Sequence, residues 1–142
     1  SELAINYREE DFVAAVKAAT GRKGAFLILD MVGGDYIERN QEAAAPGGRI
    51  VQIAFLQGSK VTIDLRRVML KKLVYTGSTL RSRTVAEKAQ IAAALQQHVW
   101  PLLAEGRCKP IIDSQFPLAE AAAAHARMES NAHVGKIVLS AD

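Results

Sequence analysis

Only one cysteine, Cys108, occurs among the 142 residues, so no internal disulfide can form, and a lone thiol fits a reducing, cytoplasmic setting. The three histidines are scattered, and no Cys/His pair has the spacing of metal ligands, so no metal is expected. No apolar run reaches the roughly 18 residues needed to cross a bilayer, so no membrane partner is expected. The dinucleotide fingerprint G-x-G-x-x-G is absent, as is a Walker phosphate loop. Neither sign of charge dominates: 18 Lys and Arg stand against 15 Asp and Glu, a formal charge of +3. So small a surplus gives no ground for nucleic acid as a partner.

What is present suits one compact domain, with 49% hydrophobic and 23% charged residues. The order of elements is mixed α/β. "LAINY" (Leu3 to Tyr7) suggests a short strand, and the Phe12, Val13, Val16, Ala19 pattern suggests a helix ended by Thr20 to Gly24. "AFLILD" has no polar alternation, which predicts a strand buried on both faces. Asp35 is placed to cap a helix from about Tyr36, with Pro46-Gly47-Gly48 as its stop. "RIVQIAF" is the next strand, and short connections of this kind predict a parallel sheet flanked by helices.

Further on come a short helix in "LRRVMLKKL" and a strand in "VYTGSTL". Thr84-Val85-Ala86-Glu87 matches a capping box that opens a long helix through Leu103, with Pro101 kinking or tightening its last turn. "PIIDSQF" and "HVGKIVLS" are strand candidates, and Pro117 suits the start of the alanine-rich helix between them. This later part need not share the first sheet. "SELAINY" enters strand pattern almost at once, a hint of a piece of something longer.

Open α/β sheets bind ligands just beyond the carboxyl ends of their strands. Gly33-Gly34 and Phe55-Leu56-Gln57-Gly58 both fall there, on neighbouring strands. The residues alone leave two readings of "DMVGGDY": part of a ligand crevice, or a tight turn with no ligand. Gly47-Gly48 is read as a connector at the opposite edge. Tyr7 beside Arg8 could bond a ribose or phosphate, or could be a surface tyrosine. Lys60, Arg66, Arg67, Lys71, Lys72, Arg81 and Arg83 face one acid, Asp64, and are read as a solvated face. His98, Trp100 and His125 are read as packing or surface residues. No nucleophile, base and orienting group can be assembled from sequence order.

Seven stretches carry a resemblance: "AINYREEDF", "ILDMVGGDYIERN", "APGGRIVQIAF", "LRRVMLKKL", "GSTLRSR", "FPLAEAAAAHARMES" and "VGKIVL". Together the chain resembles the carboxyl-terminal part of zinc-independent, zeta-crystallin-like quinone oxidoreductases of the medium-chain dehydrogenase/reductase superfamily. The resemblance implies a partial Rossmann-type parallel sheet over 1–78, lacking its first βαβ unit. It implies that 79–142 is an α+β segment belonging to the GroES-like catalytic domain of a longer parent.

The activity implied is hydride transfer from NADPH to a quinone or another activated carbonyl acceptor, with no catalytic side chain in this part and no activity expected of the piece alone. An enoyl or alkenal reductase of the same superfamily is the alternative, as is a non-enzymatic, crystallin-like or RNA-binding role. Residue by residue, the resemblance puts Tyr7 by the 2′-phosphate side of NADPH and Val32 and Gly33 by the adenosine ribose. It puts Phe55, Leu56 and Gln57 along the nicotinamide half, and Thr79, Leu80 and Arg81 near the carboxamide. His133 falls where a last-loop residue reaches the cofactor. The strand near Val74–Leu80 is where such enzymes pair as homodimers. The phosphate loop and the lysine that helps select NADPH lie outside the matched stretches.

Overall fold

The computed structural model describes residues 2–141, which form two compact units that divide between Arg83 and Thr84. The division falls five residues beyond Ser78, where the resemblance puts it.

The first unit is a three-stranded parallel sheet with helices. Helix α1 spans Phe12–Ala19, opened by Asp11, whose carboxylate accepts from the Val13 N–H at 3.1 Å. Strand β1 (Ala25–Asp30), helix α2 (Tyr36–Ala43), strand β2 (Ala44–Gln52), helix α3 (Arg66–Lys71) and strand β3 (Val74–Gly77) follow. The sheet order is β1-β2-β3, and both ladders are parallel. The core gathers on the central strand: Ile50 is fully buried, and Ala44, Leu73, Ile28 and Val68 pack around it.

Phe12 and Tyr36 stack with ring centroids 5.3 Å apart. The Arg39 guanidinium lies 4.4 Å over Phe12 and bonds Asp11 at 2.7 Å, so one arginine ties α1 to α2. That contact, more than any other, holds the Asp11 carboxyl below its usual range.

Several expectations are corrected here. Leu3–Tyr7 form no strand, and the backbone turns at Tyr7–Glu9. A strand exists only through bonds to a neighbour, and no described segment pairs with this one. Strand β1 is not buried on both faces: Phe26, Leu27 and Leu29 are 70%, 65% and 64% exposed. It pairs with β2 alone among the described residues, an edge strand of its sheet.

Pro46-Gly47-Gly48 does not stop α2, which ends at Ala43, but lies inside β2. The register jumps there from Ala25↔Ala44 to Leu27↔Arg49, so the extra β2 residues loop out as a bulge, with Gly47 at φ 73°. Asp35 adopts a helical backbone and makes no side-chain cap bond.

The second unit begins with the capping box: the Thr84 hydroxyl accepts from the Glu87 N–H at 3.2 Å, and the Glu87 carboxylate accepts from the Thr84 N–H at 2.8 Å. Helix α4 runs Val85–His98 and then breaks, with a separate helix α5 over Trp100–Ala104. The single helix through Leu103 is thus corrected. Pro101 has no N–H to donate and its ring crowds the preceding turn, which favours a new start over continuation.

Strand β4 (Ile112–Pro117), a 3-10 turn (Leu118–Glu120), helix α6 (Ala121–Glu129) and strand β5 (Lys136–Ser140) complete the unit. Strands β4 and β5 form their own two-stranded parallel sheet. Asp113 fastens it. Its carboxylate accepts from Arg127 Nε at 3.0 Å, Arg127 Nη2 at 2.9 Å and the Val134 N–H at 3.1 Å.

Candidate functional site

Parallel pairing sends β1, β2 and β3 out of the sheet at the same edge, so the segments after Asp30, Gln52 and Gly77 leave side by side. The first two are laced together by their backbones. Leu56 N–H donates to Met31 O at 3.2 Å, Gln57 N–H to Val32 O at 2.8 Å, and Gly34 N–H to Gly58 O at 3.0 Å. The third joins through Ser78 N–H, which donates to Gln52 O at 3.0 Å.

The glycine pair exists for this lacing. Gly33 and Gly34 have φ of 68° and 52°, a region that side chains disfavour. A Cβ on Gly33 would stand 2.6 Å from Gly58 O and 2.9 Å from the Phe55 ring; one on Gly34 would stand 3.0 Å from Gln57 Cβ. The two loops therefore meet with no room for a methyl group between them.

Asp30 anchors the turn from beneath. It is 4% exposed, yet its carboxylate is satisfied: Oδ1 accepts from Val32 N–H at 2.7 Å and Gly33 N–H at 3.1 Å, and Oδ2 accepts from Asn40 Nδ2 at 2.9 Å. The Asp30 carbonyl takes Ile53 N–H at 2.8 Å. Gln52 Nε2, also near that carbonyl, donates to Ala54 O at 2.6 Å.

The sequence reading missed Asp30, Asn40 and Gln52. A signal was available: Asp30 is the one charged residue ending an otherwise apolar strand, directly before a glycine turn. A buried acid at that point has to find donors, and the turn's own amides are the nearest.

Of the residues singled out from sequence, Val32 and Gly33 sit in this turn, and Phe55, Leu56 and Gln57 in the loop facing it. Leu56 is 75% exposed, and Phe55 and Gln57 are exposed as well. Thr79, Leu80 and Arg81 follow β3 and are exposed, with a turn closed by Arg83 N–H donating to Leu80 O at 3.2 Å. The rim thus offers exposed apolar side chains on rigid backbone, a setting that fits a flat, partly apolar ligand. Tyr7 is exposed in the N-terminal turn, and among the described residues no hydrogen bond joins it to either loop. His133 belongs to the second unit, half-buried, with Nδ1 shielded from water and lacking a partner among the described residues.

A cavity of about 510 Å³ opens beside Gly34, lined also by Arg39, Lys60, Thr62 and Arg67. Its charges are largely paired: Arg67 bonds Glu38 at 2.9 Å, and Glu42 bonds Lys17 at 2.6 Å, which lowers the Glu42 pKa. On β3, Tyr75 OH donates to Ile37 O at 3.1 Å, and burial pushes that phenol's pKa up.

Comparison with known proteins agrees with the fold. Residues 2–139 match the family described as zinc-binding dehydrogenase. Human quinone oxidoreductase is 33% identical over 138 residues, 95% of this chain and 40% of that protein. The Escherichia coli quinone oxidoreductase solved with NADPH superposes with a TM-score of 0.77 at 28% identity, over 96% of this chain and 42% of that one. The CurK enoyl reductase gives a TM-score of 0.68 at 26% identity, over 93% and 39%. The chain spans about 40% of the length of the curated relatives it matches. Among the described residues no three His, Cys, Asp or Glu side chains converge as metal ligands, so they do not fit a zinc ion.

Proposed function

The chain belongs to the zinc-binding dehydrogenase family, and on that premise we propose that it is the nucleotide-binding portion of an NADPH-dependent quinone oxidoreductase. The observation that carries the proposal is the shared rim: three parallel strands end together, and their loops are fixed to one another by backbone bonds. The likeness to an NADPH-bound quinone oxidoreductase supports it.

NADPH would supply the hydride. The protein's part is to bind, orient and keep water out. In this proposal Val32 and Gly33 lie against the adenosine ribose, and Phe55, Leu56 and Gln57 line the nicotinamide half. Thr79, Leu80 and Arg81 present backbone to the carboxamide, Tyr7 reaches the 2′-phosphate, and His133 reaches the cofactor from the last loop. None of these residues is asked to be an acid or base. The 79–142 segment is assigned to the catalytic domain of the longer protein. The outer edge of β3 is assigned to a homodimer and the setting to the cytoplasm.

A second reading, enoyl reduction, is favoured by the likeness to CurK. The test is NADPH oxidation by the protein at its natural full length, with phenanthrenequinone and an enoyl thioester offered separately. Turnover of the quinone is expected. Turnover of the enoyl thioester with none of the quinone would overturn the first reading in favour of the second.

A further inference from the structure

The two loops of the rim are set by one buried side chain. The Asp30 carboxylate fixes the Val32 and Gly33 amides, and this orientation of the turn is what aims the Met31 and Val32 carbonyls at the next loop. Those carbonyls receive Leu56 and Gln57 N–H. Asp30 itself touches neither Leu56 nor Gln57 by any hydrogen bond among the described residues. The Asn40 amide holds the other carboxylate oxygen from α2, so the turn is referenced to the helix as well as to the strand.

We infer that Asp30 is a positioning residue that registers the 55–58 loop through the 31–34 turn, so that both halves of a bound dinucleotide meet one rigid rim. The cofactor part of this inference rests on the proposed function; the coupling between the loops does not. Charge is the means. A carboxylate bonds amides about twice as strongly as a neutral oxygen does. Inside a protein such a bond is poorly replaced by water once removed. One acceptor serves two donors: the two amides at the start of the tight turn are both satisfied by one carboxylate oxygen.

Amide hydrogen exchange on the ligand-free protein at natural length tests the coupling. In Asp30→Ala, the Val32 and Gly33 amides should exchange about tenfold faster or more, and the Leu56 and Gln57 amides should follow. Amides within the β2–β3 ladder, such as those near Val51 and Thr76, should keep their wild-type rates. Asp30→Asn retains one oxygen for the two amides, so all four rates should rise only a few-fold. That milder variant carries the same comparison if Asp30→Ala does not fold.

Faster exchange at Val32 and Gly33 with Leu56 and Gln57 unchanged would overturn the inference. A uniform rise across the sheet would overturn it too, by making Asp30 only a fold-holding residue. In parallel, NADPH fluorescence titration should give a Kd raised about tenfold by Asp30→Ala, and less by Asp30→Asn. If the wild-type protein binds no NADPH, the proposed function fails while the exchange result stands by itself.

Discussion

Lys71 Nζ donates a 2.7 Å hydrogen bond to the carbonyl of Ala44, and the same ammonium takes the carbonyls of Gln41 and Glu42 at 2.9 and 2.8 Å. Those carbonyls lie at the end of α2, where the helix has no further N–H to offer. One lysine from α3 therefore closes α2 at the point where β2 begins. Burial is the main influence on it and lowers its pKa.

Lys71→Met should cost about 1–3 kcal/mol, because three carbonyls lose their donor in a half-buried place. Lys71→Arg should recover only part of this, since a planar fork cannot point three donors at one convergent set of oxygens. Urea unfolding of the three proteins measures it. A loss in Lys71→Met no larger than that of a typical surface substitution would refute the role.

The two glycines at 33 and 47 separate backbone strain from steric room. Both have positive φ, 68° and 73°. Of the two, only Gly33 has atoms where a Cβ would stand; a Cβ on Gly47 would meet nothing within 4 Å among the described residues beyond its chain neighbours. Gly47→Ala should cost about 1 kcal/mol, the price of a left-handed alanine. Gly33→Ala should cost about 2 kcal/mol more, since the 55–58 loop must move. Thermal unfolding compares the two directly, and equal losses would mean that the close approach of the loops is not what demands glycine.

Acid should weaken the protein through Asp113. The Arg127 guanidinium first, and the Val134 amide after it, hold this carboxyl far below the usual carboxylate range. An unfolded aspartate titrates near pH 4, at about 3.9. Because the folded value is the lower one, the stabilisation is complete above about pH 4 and is lost as pH falls below it. Stability against pH should therefore decline more gently below pH 4 in Asp113→Asn than in wild type. Denaturant midpoints at several acid pH values show this, and identical slopes would count against the pair.

The parallel sheet was legible because its signals are local: apolar runs, glycine turns and a capping box act over a few residues. Helices α1, α2 and α3 and strands β3, β4 and β5 were each expected near where they stand. The failures share a different cause. Leu3–Tyr7 carries strand composition, but pairing is a property of two segments. Phe26, Leu27 and Leu29 are as apolar as any buried strand, and their exposure depends on what lies opposite. The Pro46–Gly48 bulge conceals a strand behind residues that usually end one.

At the rim, the glycines were visible and their purpose was not. A positive φ can be guessed from "GG", whereas the carbonyl of Gly58 occupying the missing methyl's place needs coordinates. Lys71 was assigned to a solvated face from its basic neighbours, and three convergent carbonyls cannot be read from a string. For the role of Thr79–Arg81 sequence offered only the resemblance, and for His133 that resemblance and its place in a loop before the last strand.

The outer edge of β1 carries a consequence for handling the protein. Five uncharged residues, Ala25 to Leu29, follow one another on a strand whose outer edge pairs with nothing among the described residues, and three of their side chains face solvent. That is the composition from which cross-strand aggregates nucleate. These residues handled without a covering segment are a template for self-association, and a lysine in place of Leu27 or Leu29 is the natural gatekeeper.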